Sequence, residues 1–291
     1  MEDGSEVCSS RVESLEEIGI VGAGQSLDFD SETENGSLVL SGVSTTNNTK
    51  HAVLRLPLGS GARRTIEIRK KAGMLPNSYE IPACGAEGSN TELKLLGYFG
   101  DDAYLPFVHS SAIDTLGQRL FVTLQLGDDE ISTNKLAVGV FDLENSSYYS
   151  IPMDSSGGSS EILFGIDYDA AKKRLVGVVV NEENNGLNLR SVTVGSKASK
   201  NNKSLQIPTG SVWSEVPMTG VPSEWRYLGG NSGTVSSLDE DGRQLYFEAG
   251  GNIEGMSLGV VNIDTAKLVA SPHFKGDVPI SSAGLTMMSY F

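Results

Sequence analysis

The sequence predicts an all-β protein built as an array of small antiparallel sheets. Three observations carry this expectation. Four segments share one pattern, an apolar strand, an acidic turn and a second apolar strand. They are Ser26-Leu27-Asp28-Phe29-Asp30 with Gly36-Ser37-Leu38-Val39-Leu40, Ser111-Ala112-Ile113-Asp114 with Arg119-Leu120-Phe121-Val122, Gly165-Ile166-Asp167-Tyr168-Asp169 with Arg174-Leu175-Val176-Gly177-Val178, and Ser236-Ser237-Leu238-Asp239 with Gln244-Leu245-Tyr246-Phe247. A degenerate strand repeat tens of residues long marks stacked supersecondary units. The 34 glycines, with many Ser, Thr and Asn, supply tight turns. Finally, few segments could form long helices. The run Ala170-Ala171-Lys172-Lys173 is too short for a helix and sits between two strands.

The elements follow in order. Residues 1–16 are polar and acidic without an apolar period and read as a flexible tail, leaving 17–291 as the folded domain. Residues 18–21 read as a first strand ended by Gly22-Ala23-Gly24. Each hairpin is followed by a third apolar strand, at 52–56, 136–143, 187–194 and 258–264. Three of these four alternate clearly at period two, as a strand with one buried face does. A weaker fourth strand is expected at 65–69, 148–152, 204–208 and 267–272. Proline removes a ladder donor, so Pro152, Pro208 and Pro272 suit the ends of edge strands.

Four strands per unit, ordered from inner to outer, make the blade of a β-propeller, and residues 18–291 resemble that superfamily. The resemblance is carried by Asp-bearing inner hairpins such as Ile113-Asp114-Thr115-Leu116-Gly117-Gln118-Arg119-Leu120, and by third strands ending in Asp, such as Val140-Phe141-Asp142-Leu143. No Trp-Asp dipeptide ends a third strand, and Gly229-Gly230 and Gly250-Gly251 lack the aromatics of a kelch motif. The resemblance therefore implies an architecture, about five four-stranded blades, and no named family. Residues 280–291 echo 108–112 and read as the start of another inner strand. Closure by residues near Ile18 is the favoured arrangement, because open sheets expose edges. A fragment of a larger propeller, or a second unit within the wide first interval, are the alternatives.

Acidic side chains number 37 against 22 basic ones, a formal charge of −15. Such a balance argues against nucleic acid or an anionic membrane surface as partner. No apolar run reaches the ~18 residues of a transmembrane helix, so membrane insertion is not expected. Two cysteines, Cys8 and Cys84, are too few for a disulfide framework and read as two free thiols, with a single bridge as the alternative.

The repeated turn aspartates are the first chemical candidates. They are Asp28/Asp30, Asp114, Asp167/Asp169 and Asp239/Asp241, of which Asp114, Asp167 and Asp239 are channel candidates, together with His109, which enters an inner strand. Aspartate at a hairpin turn more often accepts backbone N–H bonds, which favours a structural role. Asp28-Phe29-Asp30-Ser31-Glu32-Thr33-Glu34 alternates acids like a calcium loop but lacks its sixth-position glycine and twelfth-position glutamate. His51, His109 and His273 have no ligand spacing between them, so no metal site is expected. There is no Gly-x-Ser-x-Gly elbow. Gly22-Ala23-Gly24 is followed by Leu27 where a dinucleotide fingerprint needs glycine, and no helical pattern follows. No cofactor and no catalytic set are expected. Aromatics on the connections between blades, Trp213, Trp225, Tyr227, Tyr98, Phe99 and Tyr104, are candidates for a partner-binding face.

The sequence thus points to a non-enzymatic binding scaffold or accessory subunit that engages a protein partner through inter-blade loops. The alternative is a propeller hydrolase or lyase acting on a sugar or lactone with channel carboxylates or Ca²⁺.

Overall fold

A computed structural model describes residues 20–30, 37–44, 51–57, 94–99, 111–126, 135–152, 164–181, 186–194, 213–223, 225, 227–228, 236–239, 241–251 and 255–270. These form strands and turns, with no helix among the described residues. Four antiparallel sheets account for them.

The first sheet runs β1 (Ile20–Asp30), β2 (Ser37–Ser44), β3 (His51–Pro57), β4 (Lys94–Phe99). The second runs β5 (Ser111–Asp114), β6 (Arg119–Leu126), β7 (Lys135–Asp142), β8 (Tyr148–Pro152). The third runs β9 (Phe164–Asp169), β10 (Arg174–Asn181), β11 (Gly186–Thr193), β12 (Ser214–Pro217). In the fourth, β13 (Tyr227–Leu228) and β14 (Ser236–Asp239) pair with successive halves of β15 (Gln244–Gly251), making one interrupted inner strand. Then follow β16 (Gly255–Asn262) and β17 (Lys267–Ala270).

The inner strands neighbour one another in chain order, β1 beside β5, β5 beside β9 and β9 beside β14. Meandering four-stranded sheets stacked face to face, each led by its inner strand, are propeller blades. The chain has a β-propeller-type fold. Residues 271–291, where a fifth blade was expected to begin, lie outside the described residues, as do the tail, both cysteines and the whole of 58–93.

Strand alternation builds the core. The second and third sheets each pack one face on the preceding blade and the other on the following blade. Leu120, Val122 and Phe141 meet Val39 and Val53 of the first sheet. Phe121, Val138 and Val140 meet Ile166, Leu175 and Val192 of the third. Val176, Val178 and Leu189 meet Leu245, Phe247 and Val261 of the fourth.

One expected boundary is corrected. Residues 18–21 do not form a strand ended by glycine: β1 runs on through Gly22 and Ala23, with register shifts that bend it past the glycines. The fourth described strand of the first sheet is β4 and that of the third is β12, where 65–69 and 204–208 were expected. Both expected segments lie outside the described residues. An outer strand packs on a single neighbour, so its sequence is only weakly constrained.

Five hairpin turns use one device. Asp114, Asp142, Asp169, Asp239 and Asn262 end a strand, and the residue four positions on is left-handed. Those residues are Gln118, Ser146, Lys173, Arg243 and Ala266, with φ of 49°, 53°, 51°, 55° and 53°. The side chain that opens the turn accepts the backbone N–H bonds that such tight geometry frees. Gly117 and Gly242 donate to Asp114 and Asp239 at 2.8 and 3.1 Å, and Glu144 and Asn145 donate to Asp142 at 2.9 and 3.0 Å.

Candidate functional site

The turn aspartates lead directly to the seams between blades. Register places Asp30, Asp114, Asp169 and Asp239 at one equivalent position, opposite Ser37, Arg119, Arg174 and Gln244. Asp169, rather than the sequence candidate Asp167, is therefore the third sheet's counterpart of Asp114 and Asp239.

Between the first two sheets, Gln118 donates through Nε2 to both carboxylate oxygens of Asp30 at 3.1 and 3.2 Å. Arg55 donates to Asp30 and to the Gln118 amide oxygen, each at 3.2 Å. Between the second and third, Arg119 is buried. It donates to Asp114 through Nε at 3.0 Å and Nη2 at 2.6 Å, and reaches the Val194 carbonyl at 3.4 Å. Its guanidinium lies 5.3 Å from the Phe121 ring centre and 5.8 Å from that of Tyr168, and these two rings stack at 5.5 Å. Burial, then the Asp114 charge, pushes the Tyr168 hydroxyl up to about 12.

The seam between the third and fourth sheets carries the densest network. Asp169 is fully buried and accepts Arg174 Nε at 2.8 Å and Arg243 Nη1 and Nη2 at 2.7 Å each. Asp264, partly exposed, accepts Lys172 at 2.6 Å, Arg174 at 3.2 Å and Arg243 at 3.0 and 3.1 Å. Burial alone would raise Asp169, but the bonds from Arg243 and Arg174 outweigh it and hold the carboxyl below its ordinary value. Hydrogen bonds from Arg243 and then Lys172 hold Asp264 far below the carboxylate range. Arg174 also donates to the Ile263 carbonyl at 3.1 Å, the equivalent of Arg119 on Val194.

The sequence candidates fall as follows. Asp114 serves its own turn and Arg119. Asp239 serves its own turn. Asp167 accepts the Ser236 hydroxyl across the seam at 2.6 Å. His109 and Tyr104 lie outside the described residues, and so do the side chains of Phe99 and Tyr227. Trp225 is 2% exposed and meets Phe247 edge-on at 6.2 Å, so its ring belongs to the core between the third and fourth sheets. Tyr98 is half-buried on β4. Trp213 is half-buried just before β12, with Arg190 5.8 Å from its ring centre. The described residues hold no group of three or more His, Cys, Asp or Glu placed to bind a metal, and no helix long and apolar enough to cross a membrane.

The outer edge of the third sheet was not singled out as a strand. All four residues of β12 are exposed, and Val216 is 49% exposed. Glu215 leans back to bond Asn188 and to pair with Arg190 at 3.2 Å. The signal was faint, because a strand exposed on both faces shows no apolar alternation. Arg119 and Arg174 had a better signal, each standing five residues after its turn aspartate.

No family model and no curated protein matches the chain. Among solved structures it is similar to the β-propeller domain of Cps50 (Swd1) from Myceliophteria thermophila, at 11% identity over 86% of this chain and 55% of that one, TM-score 0.41. It is similar to TolB from Acinetobacter baumannii at 9% identity over 85% of this chain and 52% of that one, TM-score 0.36. AztD from Citrobacter koseri gives 10% identity over 87% and 60%, TM-score 0.35. The chain spans little more than half the length of these three. The sheets described above, not these distant likenesses, carry the statement of fold.

Proposed function

We propose that the chain is a binding scaffold or accessory subunit, and that a protein partner engages the outer edge of its third blade. The observation that carries this is β12, a strand exposed at all four positions and paired, among the described residues, with β11 alone. On its open side the Glu215 N–H and C=O and the Pro217 C=O can pair a short extended segment of a partner as an added strand. Beside it, Val216 offers an exposed apolar side chain, and Trp213 a half-buried ring held under Arg190. Aromatic and Arg side chains at such places are the usual anchors of interfaces. The use already made of the acids supports this reading over a channel hydrolase or lyase. Asp114 and Asp169 are buried and ion-paired to arginines, a state suited to holding blades together rather than to moving protons.

The test is quantitative capture from the native source with the full chain, comparing wild type, Val216→Glu and Trp213→Ala. Val269→Glu is the control, because Val269 is 50% exposed on the outer strand of the fourth sheet. The expected result is a partner retained by wild type and control and reduced about tenfold or more by each β12-side variant, a loss of ~1.4 kcal/mol. Equal recovery with all four proteins, each folded by circular dichroism, refutes the assignment.

A further inference from the structure

In the second and third sheets the residue opposite the turn aspartate is an arginine that bonds it. Arg119 donates to Asp114 at 2.6 Å and Arg174 to Asp169 at 2.8 Å. Each guanidinium also crosses the seam to one carbonyl of the next blade, that of Val194 at 3.4 Å and that of Ile263 at 3.1 Å. These two carbonyls are equivalent, because Val194 and Ile263 each donate their N–H to the left-handed residue of their own blade's inner turn, Lys173 and Arg243. Leu143 does the same with Gln118. Its carbonyl is therefore the counterpart in the second sheet, at the seam with the first.

The first sheet places Ser37 opposite Asp30, and a hydroxyl is too short to make the same span. Arg55 substitutes from β3. It stands opposite Val39, two positions along from Ser37 and on the same face, so its side chain crosses β2 to bond Asp30 at 3.2 Å. The substitution leaves two polar atoms over. Ser37 is 1% exposed and its Oγ has no hydrogen-bond partner, and the Nε of Arg55 is likewise buried without one. Burying such groups unbonded costs free energy. A buried water with two to four polar neighbours is the usual remedy.

We propose that the seam between the first and second sheets is a binding site for a water molecule, in the place that a guanidinium fills at the next two seams. The Arg55 Nε–H donates to it, Ser37 Oγ shares a hydrogen bond with it, and it donates to the Leu143 carbonyl. All three groups belong to this seam: Leu143 is 4% exposed and joins the same core cluster as Val39, the residue opposite Arg55. Three hydrogen bonds are the usual complement of a buried water. Solvent thus completes here the span that Arg119 and Arg174 complete directly.

The first test is Ser37→Ala in the full chain, followed by urea unfolding. A hydroxyl that holds the water contributes a bond, and its loss lowers the urea midpoint by about 0.2–0.5 M. A hydroxyl buried without a partner is a burden, so an unchanged or raised midpoint overturns the proposal. The second test is a high-resolution crystal structure of the full chain and of Ser37→Arg. An ordered water is expected in wild type within hydrogen-bond distance of Ser37 Oγ, Arg55 Nε and the Leu143 oxygen. In Ser37→Arg the new guanidinium takes its place against Asp30, as Asp169 already accepts two arginines. No water at these atoms in wild type, or one retained in Ser37→Arg, overturns the proposal.

Discussion

Asp169→Asn separates the charge of the third seam from the turn it sits on. Asparagine can still accept the Lys172 N–H that now bonds Asp169 at 3.3 Å, as Asn262 accepts those of Asp264 and Thr265 in the fourth sheet. What disappears is the carboxylate held by Arg174 at 2.8 Å and by Arg243 at 2.7 Å twice. A hydrogen bond to a charged group contributes about 1.5–3 kcal/mol. Leaving a fully buried charge unpaired costs about 3–5 kcal/mol. Here the arginine side chains are 17% and 21% exposed and both keep Asp264. Partial hydration and that second partner bring the expected loss to about 2–3 kcal/mol. For a chain of this size the melting temperature falls by about 3–5 °C.

The pH dependence fixes the cause. Asp169 has a folded pKa below its unfolded value, which is ~3.9 for aspartate. A depressed carboxylate contributes stability that is present above the unfolded pKa and lost as pH falls through the folded one. Urea unfolding of wild type and variant should therefore differ fully at pH 7 and above pH ~5. The gap then closes as pH falls through about 4 and below. A difference under about 0.5 kcal/mol at pH 7 refutes the argument, that being the size of an ordinary surface substitution. A gap that stays constant from neutral to acid pH does so too.

Two further predictions concern packing and backbone. Ser146→Gly should raise stability by about 0.5–1 kcal/mol, because Ser146 is exposed at φ 53°, where a Cβ costs about 1–2 kcal/mol and glycine's extra unfolded freedom returns only part of it; a lower urea midpoint would contradict this. Gly259→Ala should destabilise by about 1–3 kcal/mol, because a Cβ there runs into the buried Phe247 ring. Adding Phe247→Leu to Gly259→Ala should recover part of that loss, whereas a fully additive pair would show that the ring is not the obstacle.

The inner hairpins were legible because they combine two local signals. Apolar doublets such as Leu120-Phe121 face two cores at once, and a turn aspartate brackets them. The third sheet shows where local signals stop. Asp167 and Asp169 share a face at period two, so composition cannot say which ends the strand. The left-handed Lys173 decides it, four residues after Asp169. Seam partners were not legible at all, since Gln118 and Asp30 are 88 residues apart and polar pairs between blades have no period. Trp225 and Trp213 both stand on one long connection, yet one ring enters the core against Phe247 and the other stays half-buried at an edge. Which aromatic is buried depends on how blades meet, not on residue type. Outer strands were the weakest prediction for the same physical reason that makes β12 the proposed contact. Among the described residues each pairs on one side only, and Ser214–Pro217 joins no core cluster, so folding leaves its sequence nearly free. Where folding constrains a strand least, a partner can constrain it instead, and Val216 is the residue at which that substitution test is sharpest.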